Sequence, residues 1–135
     1  MKKATAGIIW KEEQFLIAKR SKDQFWEFPG GNIEVGETPE QCLVREINEE
    51  LNIKIVVENF LAKIEGFFRG RNMELYAFHA RWLEGAPELR VHTDIRWIEP
   101  RHMNEFVFIE EDREIVKMMK PLTDETSLIW SVDPN

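Results

Sequence analysis

The chain has 135 residues, of which 43% are hydrophobic and 32% are charged, and its formal net charge is −7. This length and composition predict one globular domain with a single hydrophobic core, and they exclude a wholly disordered protein. The acidic balance counts against a protein that coats duplex DNA or long RNA, because such proteins need an excess of basic side chains.

The single cysteine and the short apolar runs bear on the cellular compartment. Cys42 is the only cysteine, so no disulfide can form within the chain, and an inert thiol is favoured over a nucleophile. No apolar run approaches the ~20 residues that span a bilayer. The apolar run after Lys2 and Lys3 ends at Lys11 and predicts a first strand rather than a signal peptide. We therefore expect a soluble, cytoplasmic protein whose two N-terminal lysines are solvated.

The N-terminal part of the chain predicts a β-hairpin. Residues 4–10 and 14–20 are both β-rich and are separated by a polar turn of three or four residues. Apolar residues occur at both odd and even positions of the second run, which predicts a strand covered on both faces. Residues 25–29 form a short extended piece, because Pro29 disfavours helical backbone at Phe28.

A helix follows, with clear signals at both ends. Thr38 is a suitable N-cap, Pro39 suits the first helical position, and Gln41 completes a capping box. Asn52 follows the last helical residue, Leu51, where a residue with left-handed backbone is favoured. The apolar stripe that faces the core is predicted to comprise Leu43, Val44, Ile47 and Leu51.

The second half of the chain predicts mostly β-structure before a final helix. The predicted elements are strands at residues 53–68, 73–83 and 95–98, a turn at 69–72, and a helix at 110–120 that ends at Pro121 and has an apolar stripe of Ile115, Met118 and Met119. The order β-β-α-β-β-β-α predicts a mixed sheet between helices, which is an α/β/α sandwich. We assign residues 1–121 to this domain. The tail, residues 122–135, either packs back on it or joins two subunits, so a monomer and a homodimer both stay open.

The capped helix carries three acidic residues on one face. Glu46, Glu49 and Glu50 are spaced i, i+3 and i+4, so their like charges crowd together and repel each other. Two interpretations compete: a solvated acidic face, or a site for Mg²⁺ or Mn²⁺, which prefer oxygen ligands. The turn at Gly30 and Gly31 favours the second interpretation, because it lets the main chain approach a ligand closely. Such a site can polarise a phosphoryl oxygen and activate a water molecule.

The spacing of these residues resembles the signature of a known family. The pattern here is Gly31-x5-Glu37-x7-Arg45-Glu46-Ile47-x-Glu49-Glu50-x-Asn52-Ile53. It resembles the Nudix box, in which the position of Asn52 is a glycine, and asparagine tolerates the same left-handed backbone. The similarity extends over residues 4–120 and, within the Nudix hydrolase family, points to MutT-type nucleoside triphosphate pyrophosphohydrolases.

The resemblance implies a Nudix-type α/β/α sandwich with a mixed sheet, and a nucleotide as substrate. It implies Mg²⁺-dependent hydrolysis of a nucleoside triphosphate to a monophosphate and pyrophosphate, with Mn²⁺ as an alternative metal. Removal of oxidised or modified nucleotides is one form of this activity. Two alternatives stay open: a Nudix hydrolase of a dinucleoside polyphosphate or nucleotide sugar, and a non-catalytic nucleotide sensor. The sensor is disfavoured because no glutamate of the box is replaced.

The resemblance also implies roles for individual residues. The metal ligands would be Glu46, Glu49, Glu50 and a carbonyl of the turn formed by Gly30 and Gly31. Glu37 would brace the loop by pairing with Arg45, and Asp94 would serve as the base or as a further metal ligand. The residues that match substrate-binding positions are Arg20, Phe28, Phe68, Arg71 and Asp112.

Asp112 bears on the choice of base. It matches the position of an asparagine that recognises guanine in MutT-type proteins. An ionised aspartate only accepts hydrogen bonds, so it would favour bases that present amino or ring N–H donors, such as the guanine edge or the cytosine amino group. Alternatively, Asp112 is simply a favourable acid in the first turn of the last helix.

The histidines and most tryptophans have simpler interpretations. No histidine spacing is typical of zinc ligands, with His79 predicted in a strand and His92 and His102 in loops, so a zinc site is not expected. Trp10, Trp82 and Trp97 are expected to cover the sheet rather than to stack on a base.

Overall fold

The structure, a computed structural model, describes the backbone of residues 1–123 and the side chains of residues 1–120. Its elements in chain order are strands β1 (Lys2–Lys11), β2 (Gln14–Arg20) and β3 (Trp26–Glu27), helix α1 (Pro39–Leu51), strands β4 (Lys54–Phe68), β5 (Arg71–Glu84) and β6 (His92–Ile98), a 3-10 helix (Pro100–Glu105), and helix α2 (Asp112–Thr123). None of these helices is both long and apolar enough to cross a membrane. The contacts expected of the tail beyond residue 123 lie outside the described residues.

Six strands form one mixed sheet. Their order is β3-β2-β1-β5-β4, and β6 pairs with β2. β1 runs parallel to β5, from Lys2 opposite Met73 to Trp10 opposite Arg81. The other strand pairs are antiparallel. The prediction of a mixed sheet is therefore confirmed.

The sheet is covered on both faces. Ile9 of β1 and Leu16 of β2 belong to a core that packs against α1. Their neighbours Ile8 and Phe15 belong to a second core that packs against α2. Since successive side chains of a strand point to opposite faces, apolar residues at both odd and even positions produce these two cores. The predicted two-sided strand and the α/β/α layering are thus confirmed.

The capping signals predicted for α1 are present. The hydroxyl of Thr38 accepts from Gln41 N–H at 3.1 Å, and the Gln41 side chain accepts from Thr38 N–H at 3.0 Å. Asn52 ends the helix with φ 57° and ψ 38°, the left-handed backbone that was predicted. The prediction of the apolar stripe of α1 is partly wrong, because Val44 is 41% exposed and Cys42 is buried in its place. Met118, predicted on the stripe of α2, is likewise exposed.

Both hairpin turns are tighter than predicted. β1 and β2 are joined by Glu12 and Glu13 alone, and Glu12 has a positive φ of 57°. β4 and β5 are joined by Arg69 and Gly70 alone, which both have positive φ. Positive φ at the central positions matches the right-handed twist of the flanking strands, which is why two residues are enough to close such a turn.

The C-terminal elements differ most from prediction. The 3-10 helix was not predicted, although Pro100 is well suited to its first position. α2 begins at Asp112 and continues through Pro121 to Thr123, so the predicted stop is wrong. Proline removes one backbone donor, but its fixed φ of about −65° is compatible with helical backbone. His102 lies in the 3-10 helix and His92 in β6, so neither is in a loop as predicted.

Candidate active site

The glycine turn is held directly against β1. Thr5 N–H donates to the Gly31 carbonyl at 2.8 Å, and Gly7 N–H donates to the Pro29 carbonyl at 2.8 Å. A Cβ on Gly30 would overlap the main chain of Thr5, lying 2.6 Å from its carbonyl carbon. A Cβ on Gly31 would lie 2.6 Å from Cγ of Glu46. Neither glycine has positive φ. Close approach to a strand and to a carboxylate, rather than unusual backbone angles, therefore requires glycine here.

Arg45 fixes the loop between this turn and α1. Its Nε donates to Glu37 Oε2 at 2.6 Å, and its Nη2 donates to Glu37 Oε1 at 3.0 Å and to the Asn32 carbonyl at 3.1 Å. The hydrogen bonds that Glu37 accepts from Arg45, together with one from Glu34 N–H, lower the pKa of Glu37 to about 2. The pairing predicted between Glu37 and Arg45 is confirmed.

Two of the three box glutamates lie at one cavity. Glu46 and Glu50 line it, whereas the side chain of Glu49 is 57% exposed and accepts from Arg45 Nη1 at 3.1 Å. Burial, followed by the charges of Glu46 and Glu27, raises the pKa of Glu50 to about 8. In the described part of the chain, no three acidic, histidine or cysteine side chains are arranged to hold a metal ion. The predicted ligand set of three glutamates is thus not assembled.

The remaining donors nevertheless fit an open site for a divalent cation. The carboxylates of Glu46 and Glu50 are close together and shielded from water. No nearby positive charge of a described residue is strong enough to keep Glu50 ionised. The Gly31 carbonyl already accepts from Thr5, which leaves the Gly30 carbonyl, beside the same cavity, as the better candidate. Two carboxylates and one carbonyl suit Mg²⁺, which usually keeps several waters and binds substrate phosphates.

The cavity lining also contains basic side chains, which belong to the sheet and its β4–β5 turn, whereas Glu46 and Glu50 belong to α1. The volume of the cavity is about 250 Å³, and its basic lining residues are Arg20, Arg69 and Lys2. Arg20 pairs with Asp23 at 3.0 Å and with Glu27 at 3.2 Å. Arg69 forms a bidentate pair with Glu111, with Nε 2.9 Å from Oε1. The prediction that Lys2 is a solvated terminus is wrong: burial and the charges of Arg71 and Arg69 lower its pKa.

Asp112 and Phe28 meet where β3 approaches α2. Asp112 is 2% exposed, and its Oδ2 accepts from Phe28 N–H at 2.8 Å. Burial, followed by the charge of Glu27, raises the pKa of Asp112 well above its ordinary value. The Phe28 ring is buried and stacks on Phe108 with centroids 5.0 Å apart. Both residues line the cavity, but the Phe28 ring is also part of the core.

Besides Glu37, Arg45 and Glu49, three further predicted site residues do not line this cavity: Phe68, Arg71 and Asp94. Phe68 is half-buried against the core, and Arg71 is exposed at the start of β5. The carboxylate of Asp94 on β6 accepts from its neighbour Ile95 N–H at 2.8 Å and from Arg96 at 3.1 Å. Asp94 is therefore not among the residues that line the cavity with Glu46 and Glu50, and its role as base or metal ligand stays a prediction.

The sequence analysis missed several residues of the site. Glu27, Arg69 and Glu111 line the cavity, and His92 contacts Glu27, with Nε2 2.8 Å from Oε2. His92 is buried, and its Nδ1 has no hydrogen-bond partner among the described residues. For Lys2 the sequence did hold a signal, the alternation of side chains along β1. Lys2 lies on the same face of β1 as the buried Ala4 and Ala6.

The buried carboxyl of Asp112 predicts a dependence of stability on pH. Because its folded-state pKa is raised above 3.8, Asp112 contributes stability that is fully present below that pH and is lost as the pH rises through the folded-state pKa. Asp112→Asn retains an acceptor for Phe28 N–H without the charge. We expect the variant to unfold at a higher temperature than the wild type at pH 8 and the difference to shrink towards pH 4. Thermal unfolding across this range measures the effect.

Asp23→Asn is the matched control. At Asp23 the effect of burial is outweighed by hydrogen bonds from Phe25 N–H and Arg20, which lower its pKa. Its substitution should therefore destabilise the protein at pH 8, the opposite sign. If Asp112→Asn destabilises the protein equally at pH 4 and pH 8, the charge of Asp112 is not what limits stability.

Comparison with known proteins agrees with this site. The family model described as NUDIX domain matches residues 1–119. The chain is 30% identical over 126 residues to a protein of Escherichia coli K12 named CTP pyrophosphohydrolase, covering 90% of this chain and 93% of that protein. It is 33% identical over 121 residues to the 8-oxo-dGTP diphosphatase of the same organism, covering 86% and 94%.

A solved structure shares the fold along almost the whole chain. The solution structure of the E. coli ORF135 protein superposes with a TM-score of 0.77 at 28% identity, covering 99% of this chain and 94% of that one. The family model covers the glycine turn, α1 and the cavity lining together. The chain therefore belongs to the NUDIX domain family of hydrolases, which cleave phosphoric anhydride bonds.

Proposed function

We propose that the protein is a Mg²⁺-dependent nucleoside triphosphate pyrophosphohydrolase that releases a nucleoside monophosphate and pyrophosphate. One observation carries this proposal: Glu46 and Glu50 share a cavity with Arg20 and Arg69. An acidic pair alone repels a polyphosphate, and a basic wall alone binds it without activating water. A cavity that has both suits a phosphate chain bound together with a divalent cation.

The residues of the cavity have distinct tasks in this proposal. Glu46, Glu50 and the Gly30 carbonyl hold the cation, which when bound polarises a phosphoryl oxygen and acidifies a water molecule. Arg20 donates to the phosphate chain from the opposite wall. Glu27 positions Arg20, because its carboxylate accepts from Nη1 at 3.2 Å. Arg45 contributes indirectly by holding Glu46, whose Oε2 accepts from Nη1 at 3.0 Å.

The relatives support a nucleoside triphosphate over the alternative substrates. Both Escherichia coli proteins carry names that specify a triphosphate, and each is matched along more than nine-tenths of its length. Hydrolysis of a dinucleoside polyphosphate therefore ranks behind that of a nucleoside triphosphate.

A substrate panel tests the proposal. Purified protein with Mg²⁺ should convert CTP, dGTP or 8-oxo-dGTP to equimolar monophosphate and pyrophosphate, and EDTA should abolish turnover. Phosphate release should depend on added inorganic pyrophosphatase. Orthophosphate released without that enzyme would contradict the proposed reaction. Faster hydrolysis of a dinucleoside tetraphosphate or a nucleotide sugar would replace the proposed substrate class, and binding without any turnover would indicate a sensor.

A further inference from the structure

One basic side chain of the cavity, Lys2, has no hydrogen-bond or ion-pair partner among the described residues. Arg20 is paired with Asp23 and Glu27, and Arg69 is paired with Glu111. In contrast, no described residue forms a hydrogen bond or ion pair with the Lys2 ammonium, although the charge of Glu111 acts on it. The pKa of Lys2 is lowered, by burial first and then by the charges of Arg71 and Arg69. A half-buried cation that lacks a partner is unfavourable unless a ligand supplies an acceptor.

The position of Lys2 separates it from the carboxylates of α1. Thr5 binds the Gly31 carbonyl beside Glu46, and Lys2 precedes Thr5 by three residues on the same strand. At about 3.3 Å per residue this places Lys2 roughly 10 Å along β1 from the glycine turn. If the phosphates lie at the carboxylates, Lys2 lies at the end of the cavity that the nucleobase would occupy.

Part of the surface beside Lys2 is apolar and suits a nucleobase. Met73 lies opposite Lys2 on β5, and Leu75 and Ile109 add further apolar surface to the cavity. A flat heterocycle can pack on such side chains, whereas a phosphate would lose its hydration there without apolar gain. Asp112 lines the same cavity, so both a donor and an acid are available to the edge of a base.

We propose that Lys2 is a specificity-determining residue that donates a hydrogen bond to a carbonyl oxygen of the nucleobase. An ammonium group has three donors and no acceptor, so it distinguishes bases by their acceptors. Cytosine, uracil and guanine carry a carbonyl oxygen, whereas adenine accepts only through ring nitrogens and carries an amino group where guanine carries O6. Lys2 therefore favours the carbonyl-bearing bases over adenine. This inference deepens the proposed function and rests on it for the placement of the phosphates.

Lys2→Met tests the inference, because it removes the ammonium and keeps an unbranched apolar side chain. The measurement is the Kd of α,β-methylene analogues of CTP, GTP and ATP with Mg²⁺, by isothermal titration. Loss of a charge-assisted hydrogen bond should weaken binding of the cytosine and guanine analogues about 10- to 100-fold. The adenine analogue should change by no more than about twofold, since it offers Lys2 no carbonyl.

Lys3→Met is the matched control. Lys3 is the next residue of β1, so its side chain points to the other face of the sheet, where it is exposed. Its substitution changes the net charge equally and should leave all three Kd values unchanged. Equal weakening of all three analogues by Lys2→Met would overturn the inference, because Lys2 would then contact the shared phosphates or ribose. No weakening, or the same weakening by Lys3→Met, would also overturn it.

The binding measurement separates the two proposals. If the wild type binds the analogues but hydrolyses none of the parent nucleotides, the proposed function fails while the Lys2 inference is decided by the Kd values. If the wild type binds none of the analogues, both proposals fail. Thermal unfolding of each variant checks that a weakened Kd does not reflect loss of the fold.

Discussion

Glu50→Gln is expected to lower kcat by on the order of 100-fold or more, because even groups that only orient metal ligands contribute 10- to 100-fold. The amide retains the shape of the side chain but supplies no charge to a cation. Glu50 lines the cavity beside Glu46, and the charge of Glu46 contributes to its raised pKa. Steady-state kinetics at saturating nucleotide and Mg²⁺ measure the loss, and KM should change much less than kcat.

The same variant should not be less stable without divalent cations. Burial and neighbouring carboxylates raise the pKa of Glu50 to about 8, so its ionised form is disfavoured in the folded protein. Gln removes that charge, and we expect a melting temperature equal to or above that of the wild type. Added Mg²⁺ should stabilise the wild type and have little effect on the variant, since the cation then gains one carboxylate fewer.

Glu40→Gln is the matched control for Glu50→Gln. Glu40 lies in the first turn of the same helix, is exposed and is remote from the cavity lining, so its substitution should leave kcat unchanged. Glu49→Gln tests the ligand set that the sequence predicts but the structure does not assemble. A loss as large as that of Glu50→Gln would restore Glu49 as a metal ligand. Unchanged turnover of Glu50→Gln would remove Glu50 from the site.

The glycine turn, its loop and α1 could be predicted because their determinants are local. The cap at Thr38, the left-handed end at Asn52 and the pair between Glu37 and Arg45 all involve residues that are close in sequence. Spacing alone therefore fixes their relative positions. The same spacing does not reveal that Arg45 also forms an ion pair with Glu49. An arginine can reach several carboxylates of one helix face, and packing selects among them.

The opposite wall of the cavity could not be predicted in this way. It depends on the parallel register that places Lys2 opposite Met73, and on the approach of α2 to β3 that places Asp112 against Phe28. These contacts join residues that are 71 and 84 positions apart. Local propensity and periodicity carry no information on such pairs. The sequence consequently predicts a solvated terminus at Lys2, whereas the structure places Lys2 in the cavity lining.

Gly30→Ala is expected to destabilise the protein by about 3 kcal/mol or more, since forced overpacking costs about 1–3 kcal/mol and lost hydrogen bonds add to it. The new methyl group would overlap the Thr5 carbonyl, and main-chain atoms of Thr5 and Ala6 cannot rotate away as a side chain can. The turn must then leave β1, which breaks the bonds from Thr5 N–H to Gly31 and from Gly7 N–H to Pro29. Chemical denaturation measures the change in the free energy of unfolding.

Gly36→Ala separates this clash from the general effect of replacing glycine. A Cβ at Gly36 meets no atom of the described residues within 4 Å, but the φ of +83° at this position is unfavourable for alanine. We expect a loss of about 1–2 kcal/mol from backbone strain alone. If Gly30→Ala is no more destabilising than Gly36→Ala, the contact between the turn and β1 is looser than the structure indicates.

Gly31→Ala tests whether the glycine turn affects catalysis through the position of Glu46. Its methyl group would meet the side chain of Glu46, whose far end can move, rather than main chain. Stability should therefore fall less than in Gly30→Ala, whereas kcat should fall because Glu46 is displaced from the cation site. A variant that loses stability but keeps kcat would contradict the placement of Glu46 at that site. Glycine is thus required at these two positions for different reasons. Gly30 permits contact with β1, and Gly31 leaves room for the carboxylate of Glu46.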